Sequence, residues 1–159
     1  MSNQNLKSEA IKIISNHRTG VLSTVENNKP HSRYMTFYNN DLILYSPTKM
    51  DTEKIDDIEK NPFVSVLLGY EGQGKSDSYV EIAGTCQMNT SQELKKQLWD
   101  ESFNSWFVGP EDPNYIFLEI HPEIIRILNK HGESQELTLK SVKQTLFNQQ
   151  KGFPFIYFK

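Results

Sequence analysis

Arg33 and Lys54 are the cations in this 159-residue chain whose surroundings offer a specific chemistry. Lys54 follows Asp51, Thr52 and Glu53 into a stretch with Ile55 and Ile58 at helical spacing, closed by Asn61 and Pro62. It therefore stands in the first turn of a helix expected over residues 48–61, with Asp51 or Thr52 as its N-cap. A helix start presents unpaired N–H groups and a partial positive charge. Beside a loop rich in Ser and Thr, with a Lys and an Arg in reach, it could hold a phosphate. The competing reading is plain: a hydroxyl cap and a charged first turn occur on helices that bind nothing, and an Arg in a strand can be a surface or interface ion pair. Lysine in a first turn opposes the helix dipole, and this favours an anion being present.

Other chemistries lack their residues. His17, His31, His121 and His131 are scattered without Cys or carboxylate partners at ligand spacing, so no metal is expected. Cys86 has no base placed beside it and reads as a small buried hydrophobe. Asp56-Asp57 and Glu111-Asp112 read as solvated helix and loop charges. Gly-x-Gly-x-x-Gly, P-loop and nucleophile-elbow patterns are absent, and EGQGK at residues 71–75 lacks the required spacing. No catalytic side chain is identified. Trp99 reads as core. Trp106 and Phe107 read as core or interface aromatics, with stacking on a planar ligand as the alternative.

The elements that must position these groups follow from periodicity. Leu6, Ala10, Ile13, Ile14 and His17 define an amphipathic helix over residues 4–17. Residues 19–25 and 31–38 read as strands joined by a hairpin turn through Glu26-Asn27-Asn28-Lys29-Pro30. Period-two alternation on the second strand puts His31, Arg33, Met35 and Phe37 on one face and Ser32, Tyr34, Thr36 and Tyr38 on the other. Asn39-Asn40-Asp41 turns the chain into a strand at residues 42–45 that Pro47 should stop. Strands follow at 63–70 and 79–87, the latter with Gly84 marking a bulge or close backbone approach. A helix is expected over 90–103 with a Thr90–Glu93 capping box, then strands at 116–120 and 123–128 joined at His121-Pro122, and a terminal helix at 138–149. The tail, residues 152–159, is an aromatic-rich strand or lid. About six strands with mostly hairpin connections and flanking helices make an α+β fold with antiparallel sheet, either a small barrel or a sandwich.

The length fits one domain, residues 1–159. With 17 Lys and Arg against 20 Asp and Glu, a net charge of −3 argues against a nucleic-acid partner but leaves room for a local basic pocket. The single cysteine and the lack of a signal-peptide pattern point to the cytoplasm. No apolar run approaches the roughly 18 residues of a membrane span, so no membrane partner is expected.

The order Thr19-Gly20-Val21-Leu22-Ser23-Thr24-Val25, Pro30-His31-Ser32-Arg33, Leu44-Tyr45-Ser46, Thr52-Glu53-Lys54, Asn61-Pro62 and residues 79–84 resembles the pyridoxamine 5′-phosphate oxidase-like, FMN-binding split β-barrel superfamily. With residues 106–113 and a strand ending in His121-Pro122 added, it is most similar to the general stress protein 26 group within that superfamily. The resemblance spans roughly residues 5–130 and leaves 131–159 as a C-terminal extension.

The resemblance implies an antiparallel split barrel, a homodimer and FMN held at the subunit interface. Arg33 and Lys54 match the family's phosphate-binding pair and Thr52 its phosphate-contacting hydroxyl. Tyr34, Met35 and Thr36 match the strand along the flavin ring, Tyr45 and Ser46 the pair ending the next strand, and Tyr79 a ring-contacting Gln of the oxidases. Trp106 joins them as a cofactor-side candidate. Departures are specific: Glu53 stands where the oxidases commonly carry a second Arg, two residues are inserted between Ser46 and Thr52, and no C-terminal arginine-histidine segment follows residue 130. The chain is therefore not expected to oxidise pyridoxamine phosphate. Two readings remain open: an FMN-dependent oxidoreductase acting on a small-molecule redox substrate in a stress response, or a non-catalytic flavin-binding or flavin-storage protein. A deazaflavin or haem in place of FMN is a third.

Overall fold

A computed structural model describes residues 1–130 and 132–139. The helix α1 (Asn3–Asn16) opens the chain, capped by Ser2, whose hydroxyl accepts from the Asn5 N–H. It buries Leu6, Ala10, Ile13 and Ile14 of the predicted stripe against the sheet, while His17, the fifth member, lies just beyond the helix as its half-buried C-cap. Strands β1 (Thr19–Glu26) and β2 (Lys29–Thr36) form a hairpin through Asn27 and Asn28, both at positive φ (50° and 61°). Asparagine tolerates that region, and a two-residue turn of this hand matches the twist of the strands it joins. β3 (Tyr38–Asn40) and β4 (Ile43–Lys49) form a second hairpin, then α2 (Glu53–Lys60), β5 (Phe63–Leu68), β6 (Tyr79–Asn89), α3 (Gln92–Gln97), β7 (Tyr115–Lys130) and β8 (Glu133–Thr138).

All pairings are antiparallel, in the order β2-β1-β5-β6-β7-β4-β3, with β8 on the free part of β7. This curled sheet is a split barrel. One face encloses a core that includes Leu22, Val66, Ile82, Leu118, Ile120 and Ile125, sealed by α1 and by Ile55 and Ile58 of α2. The other face carries an aromatic cluster, Tyr45, Phe103, Phe107, Tyr115 and Phe117, held under the segment that follows β6. β7 connects the two clusters, because its alternate residues serve opposite faces.

Several expectations are corrected. The described residues contain eight strands instead of about six, since Tyr38–Asn40 pairs with β4 and Glu133–Thr138 adds an edge. The strands expected at 116–120 and 123–128 are one 16-residue strand. Pro122, with no N–H to give, sits opposite Gly84 at a register shift, where an added Cβ would fall on the His121 carbonyl. Pro47 does not stop β4 but pairs opposite Phe117, on a strand whose second edge has no ladder beyond Tyr45. The helix expected over 90–103 ends at Gln97, capped by Ser91 in place of Thr90. Asp100 then accepts from Ser102 N–H and starts a separate 3-10 turn, Glu101–Ser105. Helix α2 is shorter than expected and starts after Thr52. The terminal helix at 138–149, the aromatic tail and His131 fall outside the described residues apart from Thr138 and Leu139. No helix among the described residues is long and apolar enough to cross a membrane.

Candidate functional site

The sheet ends on one side at β2 and on the other at β4 and β3, and the two ends approach without forming a ladder. Ser46 bridges the gap: its buried hydroxyl donates to the Thr36 carbonyl at 2.7 Å. The Thr36 carbonyl thus turns away from β1. On the other side, the Phe37 N–H donates to the Arg18 carbonyl, so the odd residues face β1. Residues two apart on a strand direct their peptide groups the same way, and Tyr34 therefore also presents its N–H and C=O to the split. An edge strand with free donors and acceptors is thereby exposed to the gap.

A cavity of about 460 Å³ occupies this gap. Of the residues singled out in the sequence, Tyr34, Met35, Thr36, Thr52, Lys54 and Trp106 line it together. Thr52 precedes α2 without capping it: its hydroxyl donates to the Lys49 carbonyl (3.0 Å) and accepts from Lys54 Nζ (3.0 Å). The hydroxyl and the ammonium thus converge on one wall. Burial first, and the Arg33 charge second, push the Lys54 ammonium below its usual range. Among the described residues Lys54 has no ion pair.

Arg33 stands close behind this wall and not on it. Its Nη1 donates to Thr24 Oγ1 (2.7 Å) and the His31 carbonyl (3.1 Å), and its Nη2 lies 3.7 Å from Asp57. Asp57, 4% exposed on α2, also accepts from the Thr24 hydroxyl at 2.8 Å. Its reading as a solvated charge is corrected, while Asp56 beside it is exposed as expected. Of the two cations only Arg33 has a carboxylate partner, and Lys54 is left with a hydroxyl alone.

Three predicted residues lie elsewhere in the described chain. Tyr45 is buried in the aromatic cluster, edge-on to Phe117. Ser46 braces the split from inside, and Tyr79 meets Tyr70 edge-on at 5.5 Å at the start of β6. Trp106 is 59% exposed at the cavity, while Phe107, also on its wall, is buried and belongs to the aromatic cluster. Trp99 is partly buried against Phe103 and Tyr115. The sequence reading missed Thr19, Pro47, Thr48, Lys49 and Phe107 as lining residues. Thr19 was recoverable, since the hairpin turn fixes it opposite Thr36.

Outside this site Glu119 and Cys86 are among the titratable groups shifted by their surroundings, and neither is poised for chemistry. Glu119 takes hydrogen bonds from Asn89 and Gln87 and shares one with His121 at 2.6 Å; these bonds, the His121 one foremost, hold its carboxyl below the usual range. Burial pushes the Cys86 thiol up to about 12, so it stays protonated and unreactive at neutral pH. The described residues contain no group of three His, Cys, Asp or Glu able to hold a metal ion.

Comparison with known proteins agrees with this geometry. The model of the pyridoxamine 5′-phosphate oxidase family matches residues 6–129. General stress protein 26 of Bacillus subtilis (strain 168) is 44% identical over 140 residues, 88% of this chain and 99% of that protein. The crystal structure of general stress protein 26 from Bacillus anthracis str. Sterne superposes with a TM-score of 0.74 at 41% identity, covering 84% of this chain and 99% of that one. A protein related to general stress protein 26 from Clostridium acetobutylicum shares the fold at 16% identity, with a TM-score of 0.73 over 87% of this chain and 97% of its own.

The different surroundings of the two cations predict opposite effects on stability. Arg33→Ala removes the partner of Thr24 and of a buried carboxylate, and should cost about 1–3 kcal/mol in urea unfolding. Lys54→Ala removes a charge that folding disfavours, and its unfolding midpoint should stand at or above that of the unmodified protein. A clear loss of stability in Lys54→Ala would show that the ammonium is held in place by the fold.

Proposed function

The chain belongs to the pyridoxamine 5′-phosphate oxidase-like family and, within it, to the general stress protein 26 group; from that membership we propose that it binds FMN and acts as a flavin-dependent oxidoreductase. The observation that carries the reading is the pairing, in one cavity, of a free strand edge with a positive corner. Tyr34 and Thr36 offer backbone donors and acceptors at the spacing of a strand, suited to the polar edge of a flavin ring. Thr52 and Lys54 line the same cavity at the start of α2, with Arg33 behind, and suit a phosphate dianion. Met35, Pro47, Trp106 and Phe107 supply apolar surface between them. FMN, once bound, supplies hydride or electron transfer to a small redox substrate, and the protein's part is to hold, orient and shield it.

The donor set fits a phosphate in a specific sense. Lys54 lacks a carboxylate partner, and an anion beside it would offset the burial that now disfavours its charge. A charge-assisted bond contributes roughly 1.5–3 kcal/mol, so Lys54→Ala should weaken FMN by about tenfold or more, and Arg33→Ala, whose charge acts from behind the wall, should weaken it less. Riboflavin, without the phosphate, should bind the unmodified protein more weakly and lose little in either variant. Because the unliganded Lys54 titrates below the usual lysine range, FMN affinity should decline as alkaline pH passes through that lowered value. Equal affinity for FMN and riboflavin in an apoprotein titration would remove the phosphate site.

The assembly we propose is a homodimer. Tyr34 (79% exposed) and Leu67 (40%) flank Val21 in register on the outer face of β2, β1 and β5, and Phe63 and Tyr70 add further exposed apolar surface. A two-fold contact would cover this face and bring Tyr79, which lies outside the cavity of its own chain, toward the partner's flavin. Light scattering is expected to give twice the 18.5 kDa chain mass; a flavin-loaded species at the monomer mass would refute the dimer.

The absence of arginine from residues 131–159, where a cationic grip on the substrate's phosphate would be needed, argues against pyridoxamine phosphate as substrate. Lysine binds phosphate as a point charge without the planar fork of arginine. Flavin-loaded protein supplied with NAD(P)H as electron donor and oxygen as acceptor should turn over steadily, and the lack of any turnover would assign it to flavin storage. With pyridoxamine phosphate and oxygen no sustained pyridoxal phosphate should form, and multiple-turnover product would return the chain to the oxidases proper.

A further inference from the structure

The turn that leads into α2 presents Thr52 and Lys54 to the cavity in a fixed arrangement. Its anchor lies on a different part of the chain. The Met50 N–H donates to both the backbone carbonyl (2.9 Å) and the side-chain Oδ1 (3.1 Å) of Asn114, and Asn114 Nδ2 donates to Asp51 Oδ1 at 3.3 Å. Three hydrogen bonds from one residue thus hold the two positions just before Thr52. Asn114 is itself fixed: its N–H donates to Asp112 Oδ1 (2.9 Å), and Asp112 Oδ2 accepts from the Val108 N–H (3.0 Å). The Asp112 carbonyl takes the ammonium of Lys95 at 3.1 Å, and that lysine is only 2% exposed and lies over the Tyr115 ring. The segment held in this way begins at Trp106 and Phe107, two walls of the same cavity.

We infer that Asn114 is a positioning residue for the phosphate end of the site, coupling the aromatic wall to the turn that aims Thr52 and Lys54. This rests on the FMN reading above. Asn114 does not line the cavity and need not touch the ligand. Its amide suits the task because one side chain must accept from a peptide N–H and donate to a carboxylate at once; a carboxylate at this position would repel Asp51, and a small apolar residue would release both bonds.

The test compares FMN and riboflavin affinities of the apoprotein with those of N114A, N114D, D51N and the double variant N114D/D51N. N114A is expected to bind FMN at least fivefold more weakly and riboflavin within twofold of the unmodified protein, with spectra and thermal midpoint reporting a retained fold. N114D should lose at least as much. The double variant exchanges donor and acceptor between the two positions at unchanged net charge, and should recover FMN affinity to within twofold. D51N alone, with a neutral amide still able to pair, should not weaken FMN. Unchanged FMN affinity in N114A overturns the inference, since a simple charge effect predicts that result. A parallel loss of riboflavin also overturns it, as does failure of the exchange to recover affinity. Should N114A not fold, the exchange pair decides alone. If the unmodified protein does not prefer FMN over riboflavin, the phosphate reading itself has failed; a preference that persists in N114A removes only the role of Asn114.

Discussion

The candidate site depends on one constraint: the eight strands of this sheet curl but do not close, so β2 keeps an unpaired edge beside β4. Unpaired strand edges are a liability in most proteins, because they invite pairing with any other strand. Here the edge is managed by a single side chain, Ser46, which takes up the Thr36 carbonyl and pins the two sides of the gap at a fixed distance. A backbone ladder in that place would consume the peptide groups of Tyr34 and Thr36 and fill the cavity. A longer gap without the bridge would let the edge drift. The serine hydroxyl satisfies one acceptor and leaves its neighbours available, and a planar polar ligand can use that condition.

The charges around the gap follow the same logic of partial satisfaction. Asp57 is buried on α2 and needs partners; Thr24 from β1 and Arg33 from β2 supply them, which ties the helix to the hairpin. Arg33 is therefore part of the fold whether or not a ligand is present. Lys54 is brought near it by the start of the same helix and gains only a hydroxyl. One carboxylate cannot neutralise both cations, and further carboxylate would make the site a closed ion-pair network. The imbalance is what distinguishes this helix start from one that merely caps itself, and the hydroxyl of Thr52, directed to Lys49 and Lys54 in place of the helix N–H groups, is the clearest local sign of it.

Much of this was legible in the sequence where burial imposes a period. The stripe on α1, the alternation of β2 and the Asn27-Asn28 turn could be read directly, because each is a local pattern with one buried face or one required backbone conformation. Tyr34 through Thr36, singled out by the family resemblance, and Thr52 and Lys54, singled out by the helix start, lie together in the fold. What could not be read depends on contacts between distant segments. The burial of Asp57 needs Thr24, 33 positions away, and a charged pair on a short helix looks solvated until that partner is known. The continuity of β7 through Pro122 depends on the missing Cβ of Gly84 on another strand. Tyr45 adjoins Ser46 on β4, yet faces the aromatic cluster, because successive residues of a strand point to opposite faces and only one can face the gap.

The aromatic cluster gives the outer face a function beyond filling space. Tyr115 and Phe117 extend from β7, the longest strand, and carry Phe103 and Phe107 upon them, so the segment containing Trp106 is fixed to the same strand that pairs with β4. Trp106 itself stays largely exposed at the cavity because Phe107 takes the buried position. The wall and the barrel are therefore packed as one piece, while Thr52 and Lys54 rest on a separate turn. The two ends of the cavity come from different parts of the chain, and their separation is set by the few bonds that join segment 106–114 to residues 50 and 51. Any change in that turn is tolerated only if those bonds re-form, so the shape of the cavity depends on bracing residues that do not line it.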